Sequence, residues 1–218
     1  MSSNRIMVID YGVGNLYSVQ RAVEVNGGED ILISGDPADL ARADRVILPG
    51  VGAFQDGMRG LQERGLVEPL LAFARSGKPL LGICLGMQML ATASDEFGHH
   101  PGLDLIPGDV AAIPRTAVNG DALKVPFIGW AQLQYPDSQA HAGSCLADLG
   151  ERAVYLVHSY HVVPRDPHHL LASYGFAGHR ITAAIRKDNI TGLQFHPEKS
   201  GEAGMAIMRA FLQQNNGV

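Results

Sequence analysis

Two stretches of this sequence hold residue types that could act together in a chemical step. The first is Gly82-Ile83-Cys84-Leu85-Gly86. An apolar run, Pro79-Leu80-Leu81, leads into it, and helix-forming residues, Met87-Gln88-Met89-Leu90, follow. Strand, sharp turn, helix is the pattern of a nucleophile elbow, here with Cys at the turn. Glycines on either side let the following helix cross close to the strand. At a helix N-terminus, free N–H groups favour an anionic sulfur, and thiolate is the nucleophilic form. The second stretch is Gln194-Phe195-His196-Pro197-Glu198. A nucleophilic Cys needs a base to take its proton, and that base needs an orienting acceptor on its other ring nitrogen. His196 and Glu198 stand two apart, which in an extended segment puts both side chains on one side. Pro197 disfavours helix at His196.

These residues need a scaffold, and the first half of the chain reads as alternating strands and helices. Apolar runs at 6–9, 31–33, 45–48 and 78–83 read as buried strands. Between them, Leu16, Val19, Ala22 and Val23 share one helical face, and Gly27-Gly28 ends that helix. Asp36-Pro37 supplies an N-cap and a first-turn proline. Helices are also expected at 57–63 and 66–76. This alternation predicts a parallel sheet covered on both faces, with ligands beyond the carboxyl ends of its strands. There the third strand runs into Pro49-Gly50-Val51-Gly52, whose backbone N–H groups could form half of an oxyanion hole beside Cys84. Asp10-Tyr11-Gly12-Val13-Gly14-Asn15 has two of the glycines of a dinucleotide fingerprint but no third in register, which argues against a nicotinamide site.

From Val110 on, the apolar runs shorten and often alternate, at 125–130, 153–157, 170–174, 181–185 and 191–195. These read as antiparallel strands extending or flanking the parallel core. A final helix over 204–213 places Met205, Met208, Phe211 and Leu212 on one face, with Ser200 as its N-cap. The stretch 96–108 reads as a loop whose His99 and His100 face solvent; no helpful ligand spacing makes them a metal site. The expected fold class is therefore a single α/β domain over 1–218: a mixed, mostly parallel central sheet flanked by helices, with added antiparallel strands in the C-terminal half.

Bulk properties narrow the function. The 218 residues suffice for one full core, and a net charge of −5 gives no footprint for nucleic acid or an anionic membrane. Two cysteines make no disulfide framework, so a cytoplasmic setting is expected. The apolar run after residues 1–5 is too short for a signal peptide, and no stretch reaches the roughly 18 apolar residues a membrane helix needs. Cys145 lacks flanking glycines and a neighbouring base and is expected to be structural. No Walker loop or basic cluster beside a Gly-rich turn suggests a phosphate site.

Taken together, Gly82-Ile83-Cys84-Leu85-Gly86-Met87-Gln88, Pro49-Gly50-Val51-Gly52 and His196-Pro197-Glu198 resemble the motifs of class I (triad) glutamine amidotransferases, in the family's order and over essentially the whole chain. Adding the 10–15 stretch, Gly129-Trp130, His158-Ser159-Tyr160 and Lys199-Ser200, the chain is similar to glutaminase subunits of imidazole glycerol phosphate synthase, which act in histidine biosynthesis. That resemblance implies a Cys84, His196 and Glu198 triad that hydrolyses L-glutamine with no cofactor and no metal. It implies oxyanion donors at Leu85 and within Gly50, Val51 and Gly52, and substrate contacts at Gln88, Ser159 and Tyr160. It further implies a (β/α)8 barrel synthase partner that receives the ammonia, docked near Asn15, Trp130, Tyr155 and Lys199. Ala131 departs from the family's usual Asn after Gly-Trp, and this leaves the partner open. Three other readings share the same residues: an amidotransferase serving another acceptor such as a sugar amidination enzyme, a free-standing cysteine hydrolase, and a catalytically dead regulatory subunit.

Overall fold

The structure, a computed structural model, describes residues 4–136, 141–147 and 149–214. Residues 1–3, which open the stretch read for a signal peptide, lie outside the described residues. The chain begins β1 (Arg5–Ile9), α1 (Leu16–Val25), β2 (Asp30–Ser34), α2 (Pro37–Leu40), β3 (Arg45–Leu48), α3 (Phe54–Glu63), α4 (Val67–Arg75), β4 (Leu80–Ile83) and α5 (Leu85–Met89). It continues with β5 (Ala93–Ser94), β6 (His100–Pro101), β7 (Gly108–Ala112), β8 (Phe127–Gln132), β9 (Ala153–His158) and β10 (Tyr160–Pro164). It closes with β11 (Leu170–Phe176), β12 (His179–Lys187), β13 (Ile190–Leu193) and α6 (Gly201–Gln213).

A seven-stranded sheet in the order β11-β12-β13-β4-β3-β1-β2 forms the centre. The five strands from β13 to β2 run parallel, and β11 and β12 add on antiparallel. Alternation along β1 shows why both faces are covered: Ile6 and Val8 enter one core layer, Met7 and Ile9 the other. Smaller sheets, β10-β7-β5-β6 and β8-β9, flank the main one. This is the mixed α/β fold expected from the alternation of elements.

Local rules explain several element ends. Gly28 and Gly27 donate back to Val23 and Glu24 carbonyls, the paired closure of a Schellman cap on α1. Asp36 accepts from the Ala38 N–H, as an N-cap does.

Four expectations need correction. The run 191–195 is not an antiparallel add-on: β13 pairs parallel with β4 inside the sheet and antiparallel only with β12. A short apolar run fits either partner, and only its neighbours decide. The helix expected at 57–63 starts three residues earlier, at Phe54, because the Glu96 carboxylate accepts from the Phe54 N–H at 2.7 Å, a cap supplied from far along the chain. Ser200 precedes α6, but its side chain makes no cap bond. His100 is not a loop residue; it pairs with Ser94 in β6 and is only partly exposed.

The topology aligns four loops. β1, β3, β4 and β13 are adjacent parallel strands. Their carboxyl ends therefore deliver residues 10–15, 49–53, 84 and 194–198 to the same edge of the sheet.

Candidate active site

Cys84 ends β4 and opens α5 with φ 54° and ψ −110°. Positive φ is uncommon for a residue with a side chain, and the surrounding packing must hold it there. The glycines explain how. A Cβ on Gly86 would lie 1.8 Å from the Leu48 carbonyl oxygen, and one on Gly82 would lie 2.8 Å from the Gly86 oxygen. The helix start is thus pressed against β3 and β4 at distances only glycine permits. The Cys84 N–H donates to the Leu193 carbonyl at 2.7 Å, which locks the elbow to β13.

His196 follows β13. The segment does not stay extended: Pro197–Lys199 forms a turn of 3-10 helix, and His196 precedes it in extended conformation. The turn, not a straight strand, brings the imidazole Nδ1 to 2.8 Å from Glu198 Oε1. Both side chains are nearly sealed, at 3% and 2% exposure. Ser200 helps hold them: its hydroxyl donates to the His196 carbonyl and accepts from the Tyr155 N–H. The His196 N–H donates to the Tyr155 carbonyl at 3.0 Å. Burial by itself lowers the His196 pKa, but hydrogen bonds to Cys84 and Glu198, with the attraction of both charges, outweigh it and push it up to about 9. The imidazole is therefore poised to hold the proton that leaves the sulfur.

A cavity of about 280 Å³ opens over this group. Val51, Gly52, Leu85, Gln88, Ser159 and Tyr160 line it together with Cys84 and His196. Gly50 lies behind, where a Cβ would meet the Tyr11 hydroxyl at 2.1 Å. Gly52 adopts φ +103° and is exposed. The Leu85 N–H is already engaged, donating to the Gly50 carbonyl at 3.3 Å. Gln88 sends its amide nitrogen to the Tyr160 carbonyl and to Gln194 Oε1, each at 3.1 Å. Its own oxygen is the end that remains to accept.

The four residues assigned to a docking face stand outside the cavity. Trp130 is 57% exposed and packs edge-on to Tyr155. Lys199 is exposed on the turn beside Glu198. Asn15 caps α1, a helix that packs on that turn, by accepting from the Ser18 N–H. Ala131 faces the other way from Trp130 and packs against the core, so the departure from the family pattern does not alter the exposed side of β8.

Three residues at the site were given no role from the sequence. Glu96 lines the cavity from a loop, 12 residues beyond the Cys. Gln194 approaches the sulfur, although its place beside the His-Pro-Glu stretch marked it only as a neighbour. His158 lines the wall while its ring bonds the Tyr160 carbonyl and the Tyr174 hydroxyl. Of the other candidates, Cys145 is fully buried, and burial raises its thiol to about 12. His99 pairs with Asp95 at the surface. Among the described residues no three His, Cys, Asp or Glu gather as metal ligands, and no helix is long and apolar enough to cross a membrane.

The family profile Glutamine amidotransferase class-I matches residues 7–215. The chain belongs to the class I glutamine amidotransferase family. Among curated amidotransferase relatives, imidazole glycerol phosphate synthase subunit HisH 1 of Legionella pneumophila (strain Paris) is 47% identical over 95% of this chain and 98% of its own. Subunit HisH of Syntrophotalea carbinolica is 48% identical over 94% of this chain and 98% of its own. Among solved structures, a chain of PurLQS from Thermotoga maritima superposes with TM-score 0.70 at 19% identity, covering 96% of this chain and 98% of that one. At that identity the likeness speaks for the amidotransferase fold.

Proposed function

We propose that this amidotransferase is the glutaminase subunit of an imidazole glycerol phosphate synthase, with 1–218 acting as one catalytic domain in the cytoplasm. Support comes from Cys84 in the cavity lining beside the sealed His196–Glu198 pair, in a chain this similar to two such subunits along nearly its full length. In this reading Cys84 Sγ attacks the side-chain carboxamide carbon of L-glutamine. His196 takes the thiol proton, and Glu198 keeps the imidazole oriented. The tetrahedral oxyanion needs two N–H donors, those of Leu85 and of Val51. His196 then protonates the departing nitrogen, ammonia leaves, and a thioester remains. Water adds to the thioester carbon, His196 takes a proton from it, and the C–S bond breaks to give glutamate and the free thiol. Glu96 and the free oxygen of Gln88 suit the ammonium end of the substrate, since both can accept from it.

The released ammonia serves a barrel-shaped synthase partner docked over Asn15, Trp130, Tyr155 and Lys199. The resting geometry supports regulation by that partner. The Gly50 carbonyl occupies the Leu85 donor, so the hole forms only when the peptide between Gly50 and Val51 turns over. A partner drives this turn to the extent that it binds the turned state better. The test mixes the chain with a purified barrel synthase and measures glutamate with and without the synthase's nucleotide ligand. The isolated chain should be slow, and the liganded complex faster by roughly a hundredfold, the typical worth of one oxyanion donor. Full activity in the isolated chain, unchanged by the synthase, overturns this reading in favour of a free-standing hydrolase.

A further inference from the structure

Gln194 has no part in the scheme above, yet it is fully buried against the nucleophile. Its backbone is fixed one residue beyond β13, where its N–H donates to the Ala183 carbonyl at 2.8 Å. Its side-chain nitrogen points at Cys84 Sγ, 3.8 Å away, a hydrogen-bond length to sulfur. The orientation of the amide follows from its neighbours. The Tyr160 carbonyl can only accept, so the amino end of Gln88 must face it. That same amino end faces Gln194, which forces the Gln194 oxygen toward Gln88. The Gln194 N–H is then left to face the sulfur. One backbone carbonyl thus sets the direction of two side-chain amides in series.

We propose that Gln194 is a positioning residue for the nucleophile: its amide N–H donates to the Cys84 sulfur and holds it in the rotamer that attacks. The assignment rests on Cys84 being the nucleophile, as proposed above. No proton is transferred by the amide. Hydrogen bonds to charged acceptors are stronger than those to neutral ones, so the donor favours the sulfur whenever it carries negative charge. That occurs before attack on the carboxamide and again when the thioester breaks and sulfur leaves. In the neutral thioester the same contact is weak. The bond therefore favours forming the thiolate from the thiol and releasing it again from the thioester, more than it favours substrate binding. His196 and Gln194 divide the work at the sulfur: one exchanges its proton, the other fixes its direction and supports its charge.

The test uses Gln194→Met, which keeps an unbranched side chain but removes the donor, and Gln194→Asn, which keeps the amide and draws it back by one methylene. Two readouts apply. With glutamine, kcat should fall about ten- to a hundredfold in Gln194→Met, the range a hydrogen bond to a charged group supports, with KM changed less than twofold. With iodoacetamide, which needs neither the glutamine contacts nor the oxyanion hole, alkylation of Cys84 at neutral pH should slow by a similar factor. The pH of half-maximal alkylation should rise. Gln194→Asn should fall between wild type and Gln194→Met in both readouts, and circular dichroism confirms that each variant is folded. A folded variant of either kind whose Cys84 alkylates at the wild-type rate and with the wild-type pH profile overturns the inference. If Gln194→Met does not fold, Gln194→Asn decides alone by the same criterion. Alkylation at Cys145 in place of Cys84 in the wild type would instead overturn the assignment of the nucleophile.

Discussion

Replacing Gly50 by Ala should damage this protein through one identifiable collision. The added Cβ would lie 2.1 Å from the Tyr11 hydroxyl, 3.1 Å from Leu85 Cβ and 3.3 Å from the Gly86 nitrogen. The last two contacts are tight; the first is impossible. Tyr11 is fully buried and cannot swing into solvent, and its hydroxyl donates to the Pro49 carbonyl at 2.6 Å. Moving it breaks that bond and leaves both groups buried without partners, at a cost of about 1–3 kcal/mol. Overpacking adds about 1–3 kcal/mol. The total, about 2–6 kcal/mol, corresponds to a Tm lower by roughly 5–20 °C for a chain of this length. Tyr11→Phe removes the colliding atom. Alone it should cost about 1–2 kcal/mol for the stranded Pro49 carbonyl. In the double variant the new methyl fills the space of the lost hydroxyl, so stability should return close to that of Tyr11→Phe. Thermal unfolding of the four proteins closes the cycle, and the expected coupling equals the loss in Gly50→Ala alone, about 2–6 kcal/mol. Additive losses, within about 0.5 kcal/mol, would mean the alanine is accommodated elsewhere and that Tyr11 does not hold the 49–52 loop.

Other outcomes follow from the same geometry. Cys84→Ser should abolish glutamine hydrolysis with little change in unfolding temperature, and a glutamine-like electrophile should label Cys84; a label on Cys145 refutes the choice of nucleophile. His196→Ala should remove most activity, and His196→Ala combined with Glu198→Gln should cost little more, because the pair acts as a unit; multiplying losses in initial-rate assays would separate their roles. Stability should peak near neutral pH. Burial holds His158 and His161 down at about 4, so the unfolded chain takes up protons from pH 6.5 to about 4 while the folded chain does not. Stability should therefore fall with pH there by up to ~3 kcal/mol per histidine. His196, raised to about 9, gives the opposite slope: its contribution is full below pH 6.5 and is lost as pH rises toward 9. The Gln amide oxygen can replace the His161 acceptor for the Thr182 N–H, so His161→Gln should flatten the acid limb of a denaturant-derived stability profile by about one proton. An unchanged slope would show that His161 titrates normally in the folded state.

Much of this protein is written in local spacing. Gly82, Cys84 and Gly86 encode the elbow because close approach at Leu48 and Gly86 requires residues without a side chain. Alternating strands and helices encode the parallel sheet, and the sheet rule then directs the Gly-rich loop after β3 and the Cys after β4 to one edge. His196 and Glu198, two apart, are close enough that a single turn pairs them. What spacing cannot encode is contact between distant segments. Cys84 and Gln194 are separated by 110 residues, and Phe54 and Glu96 by 42; such pairs exist only because β13 lies beside β4 and the 93–101 hairpin folds back over the site. The placement of β13 itself was undecidable locally, since an apolar run of four residues suits a parallel or an antiparallel neighbour equally. Trp130 could have been core or surface by composition; the alternation of β8 against β9, with Ala131 turned inward, put its ring outside. The engagement of the Leu85 N–H by the Gly50 carbonyl is likewise a tertiary fact. Glycine makes that loop able to adopt more than one backbone state, but packing of Tyr11 and the elbow against it selects the state seen here.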